Sequence, residues 1–165
     1  MFRLLANTKS LICVTLLSVF LGFLPGCDWF STSKPVKRTG LVIVDVLPKE
    51  QYDDCHIAGA INIPFGDDFL DRAEREIDKN AEIVVYCTNY MCTASATGVN
   101  QLRDHGFTSV RAYEAGITDW YKQELPVIGA CTMPYLKGAN NRLGEHAIDP
   151  EFEITTIELK EKVGG

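Results

Sequence analysis

Two kinds of hydrophobic run alternate along this chain. Leu41 to Val46 is continuous and rich in β-branched residues, and Ala81 to Tyr86 reads the same way. Such runs predict strands buried on both faces. Ser109 to Tyr113 predicts a further strand, and Ala60 to Pro64 a short extended piece ended by its proline. Between them lie segments with helical spacing. Asp68 to Asp78 carries Phe69, Leu70, Ala73 and Ile77 among charged residues, which places one apolar face on a helix. Thr93 to His105 predicts a second helix, with Gly106 as its C′ residue. Ile117 to Lys122 predicts a short helix bearing Trp120, Gln51 to Ala58 a turn or short helix, and Leu125-Pro126-Val127 closes the unit. Strands alternating with helices imply an α/β fold: a small central, mostly parallel sheet flanked by helices. Residues 40–130 form this expected domain. Residues 131–165 are a C-terminal extension in which Phe152 to Lys162 reads as a strand and then a helix, suited to cover an exposed sheet edge.

The first 39 residues do not share this pattern. Arg3 and Lys9 precede an apolar run from Leu11 to Leu24 that Pro25-Gly26-Cys27 breaks. The run has secretory length and falls short of the ~20 residues a spanning helix needs. Leu24-Pro25-Gly26-Cys27 resembles the lipobox of bacterial lipoproteins, which implies a signal peptide over 1–26, lipidation of Cys27 and a polar tether over 27–39. The resemblance implies an anchor in the cell envelope, and Asp28 after the cysteine suggests the periplasmic face of the inner membrane. Without residues 1–26 the chain keeps 14 basic against 22 acidic residues, a net charge of −8. That excess of acid argues against a nucleic-acid partner. Cys55, Cys87, Cys92 and Cys131 then remain for a potentially oxidising space, and four cysteines allow three full pairings. No cysteine or histidine spacing reads as a metal site.

The chemistry concentrates where a strand run ends in Cys87. Thr88, Asn89, Tyr90, Met91 and Cys92 follow, and then a helix begins. The carboxyl ends of parallel strands are where such sheets place reactive groups. A cysteine between a strand end and a helix start meets backbone N–H groups and the positive end of a helix dipole, both of which favour a thiolate and a bound anion.

Four stretches give the chain a family likeness. Val44-Asp45-Val46 with His56-Ile57-Ala58-Gly59-Ala60-Ile61-Asn62-Ile63-Pro64, Val84-Val85-Tyr86-Cys87, Leu102 to Val110, and Ala115-Gly116-Ile117-Thr118-Asp119-Trp120 with Leu125-Pro126-Val127 resemble, in order, the signatures of the rhodanese-like domain. The resemblance implies a sulfurtransferase in which Cys87 carries a persulfide, with no cofactor or metal. It implies a small sulfur donor, or a protein thiol or persulfide, as partner. The chain departs from the pattern at Leu47 and Tyr90, and Cys92 stands where the family usually keeps a loop arginine. Without that cation, efficient use of thiosulfate is in doubt. Three readings stay open at this point: sulfur transfer at Cys87, thiol-redox chemistry by a Cys87/Cys92 pair, and a non-catalytic binding module. Asp45 and His56 are expected to act structurally, Asp45 by bracing the active loop and His56 by a hydrogen bond within its turn. Tyr90 and Met91 are expected to wall the mouth. Cys55 and Cys131 are candidates to tie the extension to the domain.

Overall fold

Four parallel strands in the order β3-β1-β4-β5 make the central sheet of the computed structural model, which describes residues 36–140 and 148–164. The chain divides into two units, Met1–Thr32 and Ser33–Gly165, and every described residue belongs to the second. The expected signal peptide, Cys27 and most of the tether lie outside the described residues. Pairing begins at Arg38, which bridges Ile77, two residues ahead of the expected domain start.

The central strands are β1 (Leu41–Asp45) and β4 (Glu82–Tyr86), paired in parallel from Leu41 opposite Glu82 to Asp45 opposite Tyr86. Outside them lie β3 (Ile61–Asn62) and β5 (Ser109–Tyr113). Val42, Ile43, Val44, Ile83, Val84 and Val85 are all buried, as expected of strands covered on both faces. Helices α2 (Phe69–Glu76) and α3 (Ala94–Asp104) pack on one face. There Gly98 lets the Phe69 ring approach, since a Cβ at Gly98 would stand 3.2 Å from its edge. Successive strand residues point to opposite faces, so Val85 meets α3 while the Tyr86 hydroxyl reaches the other side and accepts from the Ile57 N–H at 3.1 Å.

That other side holds α1 (Lys49–Asp54), α4 (Gly116–Lys122) and a two-stranded antiparallel ribbon, β2 (His56–Ile57) with β6 (Val127–Ile128). Trp120 is in the core, and its indole N–H donates to the Pro126 carbonyl at 2.9 Å.

The extension completes the fold. Residue 153 pairs with Ala112 of β5, the Ile154 N–H donates to the Ala112 carbonyl at 2.9 Å, and α5 (Thr156–Gly164) buries Leu159. The free edge of β5 is met there by one bridging residue and α5; where a strand was expected from Phe152, Pro150–Phe152 form a 3-10 turn and only residue 153 pairs. Thr156 donates to Asp119 at 2.6 Å, and Tyr113 joins the same carboxylate, so α5, β5 and α4 are tied at one point.

Candidate active site

Cys87 follows the last residue of β4 directly, at the carboxyl edge of the sheet. Its position is held by the backbone of α4. The Ile117 N–H donates to the Cys87 carbonyl and the Thr118 N–H to the Thr88 carbonyl, each at 3.0 Å. This contact requires a glycine at 116. Gly116 has φ +64°, and a Cβ there would lie 2.6 Å from the Cys87 oxygen and from the Thr88 carbonyl.

Beyond Thr88 the loop folds back on itself. Asn89 accepts twice, with its side chain from the Met91 N–H and with its carbonyl from the Cys92 N–H, both at 3.0 Å. This Asx turn brings Cys92 round to Cys87, and the two are joined as a disulfide with Cα atoms 6.3 Å apart. Cys87 is 1% exposed, while Cys92 is half-buried and Met91 is 65% exposed at the rim. Tyr90 packs partly into the core and lines an open cleft of about 460 Å³ beside Pro150, Glu153 and Glu158 of the extension. Tyr90 and Met91 therefore flank the loop on opposite terms, one packed and one in solvent.

The closed loop differs from the expected anion cradle. The N–H groups of Met91 and Cys92 are turned to Asn89, and that of Tyr90 to the side chain of Asn140 at 3.4 Å. Asn140 also donates to the Ala115 carbonyl at 2.9 Å, so one amide bridges the loop and the start of α4. Asn140 lies 50 residues from the loop, in a stretch that reads only as polar connection, and no sequence signal marks it.

Asp45 is fully buried at the end of β1, beside Tyr86, the residue before Cys87. Its Oδ1 accepts from the Leu47 N–H at 2.8 Å, which fixes the turn leaving β1, and no hydrogen bond of good geometry reaches its Oδ2. Burial pushes the Asp45 carboxyl up to about 6, with the nearby Tyr86 hydroxyl and the Leu47 N–H pulling the other way. The same burial and the charge of Asp45 hold the Tyr86 hydroxyl well above its ordinary range. His56 is tied to Tyr52 within its turn. Its Nδ1 lies 2.7 Å from the Tyr52 carbonyl, and its ring stacks on Tyr52 at 3.8 Å.

The acid next to it in sequence has another task. Asp54 takes the N–H groups of Thr132 and Met133 and the Thr132 hydroxyl, which holds its carboxyl below the usual range. Beside it Cys55 and Cys131 form the second disulfide, with Cα atoms 4.6 Å apart. From this anchor residues 131–140 run across α4, where Tyr135 accepts from the Thr118 hydroxyl, and end at Asn140 against the loop. No group of three or more metal-binding side chains occurs among the described residues.

A central parallel sheet, a cysteine at its carboxyl edge and a glycine-led helix bonded to that cysteine's carbonyl are now in place. A family model of the rhodanese-like domain matches residues 31–123. The chain belongs to the rhodanese-like family. Among curated relatives, the HTH-type transcriptional regulator Rv0324 of Mycobacterium tuberculosis is 37% identical over 87 residues, covering 53% of this chain and 37% of that protein. The thiosulfate sulfurtransferase GlpE of Coxiella burnetii is 29% identical over 85 residues, covering 52% of this chain and 76% of that enzyme. Among solved structures, the rhodanese-like domain of the Alr3790 protein from Anabaena is 31% identical with a TM-score of 0.50, covering 54% of this chain and 92% of that one. The rhodanese-like match stops at residue 123, so Cys131 and Asn140 lie beyond it while Cys55 lies within it.

Proposed function

We propose that this rhodanese-like domain is a sulfurtransferase in which Cys87 takes a sulfane sulfur as a persulfide and hands it to a thiol acceptor. The observation that carries this reading is the placement of Cys87. It stands at the carboxyl end of β4, with its own carbonyl and that of Thr88 bonded to the first turn of α4. A nucleophile held by its backbone keeps its sulfur in one position while the rest of the loop rearranges. Sulfurtransferases among the curated relatives support the same chemistry.

The donor class follows from what the loop lacks. Cys92 stands in place of a cation, so a dianionic donor such as thiosulfate has no guanidinium to meet. A small persulfide, a polysulfide or a protein-bound persulfide fits better, approaching past the exposed Met91. Cyanide-dependent thiocyanate formation by the reduced, full-length chain tests the reading. Product with polysulfide exceeding that with thiosulfate is expected, and no product with thiosulfate, polysulfide or mercaptopyruvate would sink it.

A second reading, a thiol-redox module without sulfur turnover, is favoured by one observation: Cys87 and Cys92 are joined. Both readings place the domain outside the cytoplasm on a lipid carried by Cys27. The lipobox-like stretch supports that placement, and unchanged processing under globomycin would reject it.

A further inference from the structure

We infer that Cys92 is a second catalytic residue, the internal resolving thiol that displaces the sulfur carried on Cys87, and that the domain converts sulfane sulfur to free sulfide at the expense of a dithiol reductant. This inference rests on the persulfide reading of Cys87. Three observations carry it. The Asn89 turn returns Cys92 to within bonding distance of Cys87, and the two sulfurs are joined. The loop holds a thiol where a cation would otherwise grip the outgoing anion. Of the two sulfurs, only Cys92 belongs to a residue open to solvent, since Cys87 is 1% exposed.

The steps balance as follows. Reduced Cys87 takes the outer sulfur of the donor and becomes Cys87–S–S⁻, and the donor leaves as a thiolate. The Cys92 sulfur then attacks the inner sulfur of that persulfide. The Cys87–Cys92 bond forms, the bond between the two persulfide sulfurs breaks, and the outer sulfur leaves as HS⁻ with the proton of the Cys92 thiol. Two electrons pass from the cysteine pair to the sulfane sulfur. A dithiol protein or small dithiol restores the pair. Its first thiolate attacks the Cys92 sulfur, which is the accessible one, and displaces Cys87 as a thiolate. Its second thiol then resolves the mixed disulfide, releasing Cys92 and leaving as its own disulfide. A monothiol halts at the mixed disulfide until a second molecule arrives, so a dithiol is the fitting reductant.

The full-length chain in detergent, reduced, freed of excess thiol and loaded anaerobically with glutathione persulfide, provides the test. Intact mass, peptide mapping and free sulfide are followed with no thiol or cyanide added. Wild type should release about one equivalent of sulfide and end with Cys87 and Cys92 joined. The Cys92→Ser and Cys92→Ala variants should gain one sulfur atom on Cys87 and hold it, releasing at least tenfold less sulfide. Wild type that holds the added sulfur as long as Cys92→Ser does would overturn the resolving role of Cys92 and leave the persulfide reading standing. Cysteine-92 variants that gain no sulfur, while remaining folded by circular dichroism, would overturn the persulfide reading itself and this inference with it.

Discussion

Gly116→Ala separates two physical costs that the active-site loop imposes on one residue. At φ +64° an alanine carries a strain of about 1–2 kcal/mol in any setting. At this position it also meets backbone. Its Cβ would stand 2.6 Å from the Cys87 oxygen and from the Thr88 carbonyl, and neither atom is the end of a flexible side chain. Relieving the contact takes a shift of roughly 0.8 Å, which stretches the 3.0 Å bonds from Ile117 and Thr118 beyond hydrogen-bonding range. Two buried carbonyls left short of a partner add about 1–3 kcal/mol each. The expected loss is therefore about 3–8 kcal/mol. Gly106→Ala is the control, with φ +84° and no atom within 4 Å of the added Cβ, so it carries the strain alone. Urea denaturation of both variants, read as midpoint at equal slope, gives the difference directly. A Gly116→Ala variant no less stable than Gly106→Ala would refute the claim that α4 clamps the Cys87 backbone. Persulfide formation at Cys87 should fall only in the Gly116 variant.

The pH dependence of stability reports Asp45. Its carboxyl rises from 3.8 to about 6, so the neutral form stabilises the fold fully below about pH 4, and that contribution of about 3 kcal/mol is lost as the pH rises through 6. Asp45→Asn keeps an acceptor for the Leu47 N–H and should gain on wild type between pH 4 and 8; a constant difference across that range would show that burial does not raise the Asp45 carboxyl in the folded state. The two disulfides close rings of very different size, with separations of 76 and 5, so chain entropy assigns about 4–5 kcal/mol to Cys55–Cys131 and about 2 kcal/mol to Cys87–Cys92. Thermal unfolding of Cys55→Ala/Cys131→Ala against Cys92→Ala should rank them in that order, and a reversed rank would argue that the extension contributes little. Asn140→Ala removes the amide between Tyr90 and Ala115; it should cost about 1 kcal/mol and speed reduction of Cys87–Cys92 by dithiothreitol severalfold. An unchanged reduction rate would mean that the extension does not hold the loop.

What could be read from the sequence follows from how far each signal reaches along the chain. The runs ending at Val46 and Tyr86 are legible as buried strands because every residue that fixes the assignment is adjacent. The helix over 94–104 is legible because its period and the glycine after it lie within one window. The ribbon of His56–Ile57 with Val127–Ile128 is not, since two residues carry no period and their partners are about 70 positions apart. Asp45 is legible as a strand end, and its partner, the Leu47 N–H, is not. A sequence shows that a carboxylate ends a strand, but not which backbone N–H the following turn will present. His56 illustrates the reverse: its structural role was expected, and its partner proved to be the Tyr52 carbonyl. The roles of Asn140 and Asp54 are not legible in the sequence because they exist only once the extension has crossed α4.

The loop itself divides into a fixed half and a conditional half, and that division ties the fold to the proposed chemistry. The bonds from Ile117 and Thr118 to the carbonyls of Cys87 and Thr88 involve no cysteine sulfur, so they hold in either oxidation state. The placement of Cys92 depends on the disulfide and on the Asn89 turn. Reduction therefore releases one sulfur and leaves the other where β4 and α4 put it. A nucleophile should be the held member of such a pair, and a resolving thiol the one that moves. The rhodanese-like pattern with arginine at this place has no such conditional half, because an arginine grips a bound anion and leaves the loop's covalent state unchanged. Exchanging that cation for a thiol removes charge from the site and makes its geometry depend on redox state. Cys92→Arg is thus an informative single substitution: it should raise thiocyanate formation from thiosulfate relative to wild type while abolishing release of sulfide without added thiol. Activity that fell with both donors would show that the loop cannot serve as an anion site, whatever stands at 92.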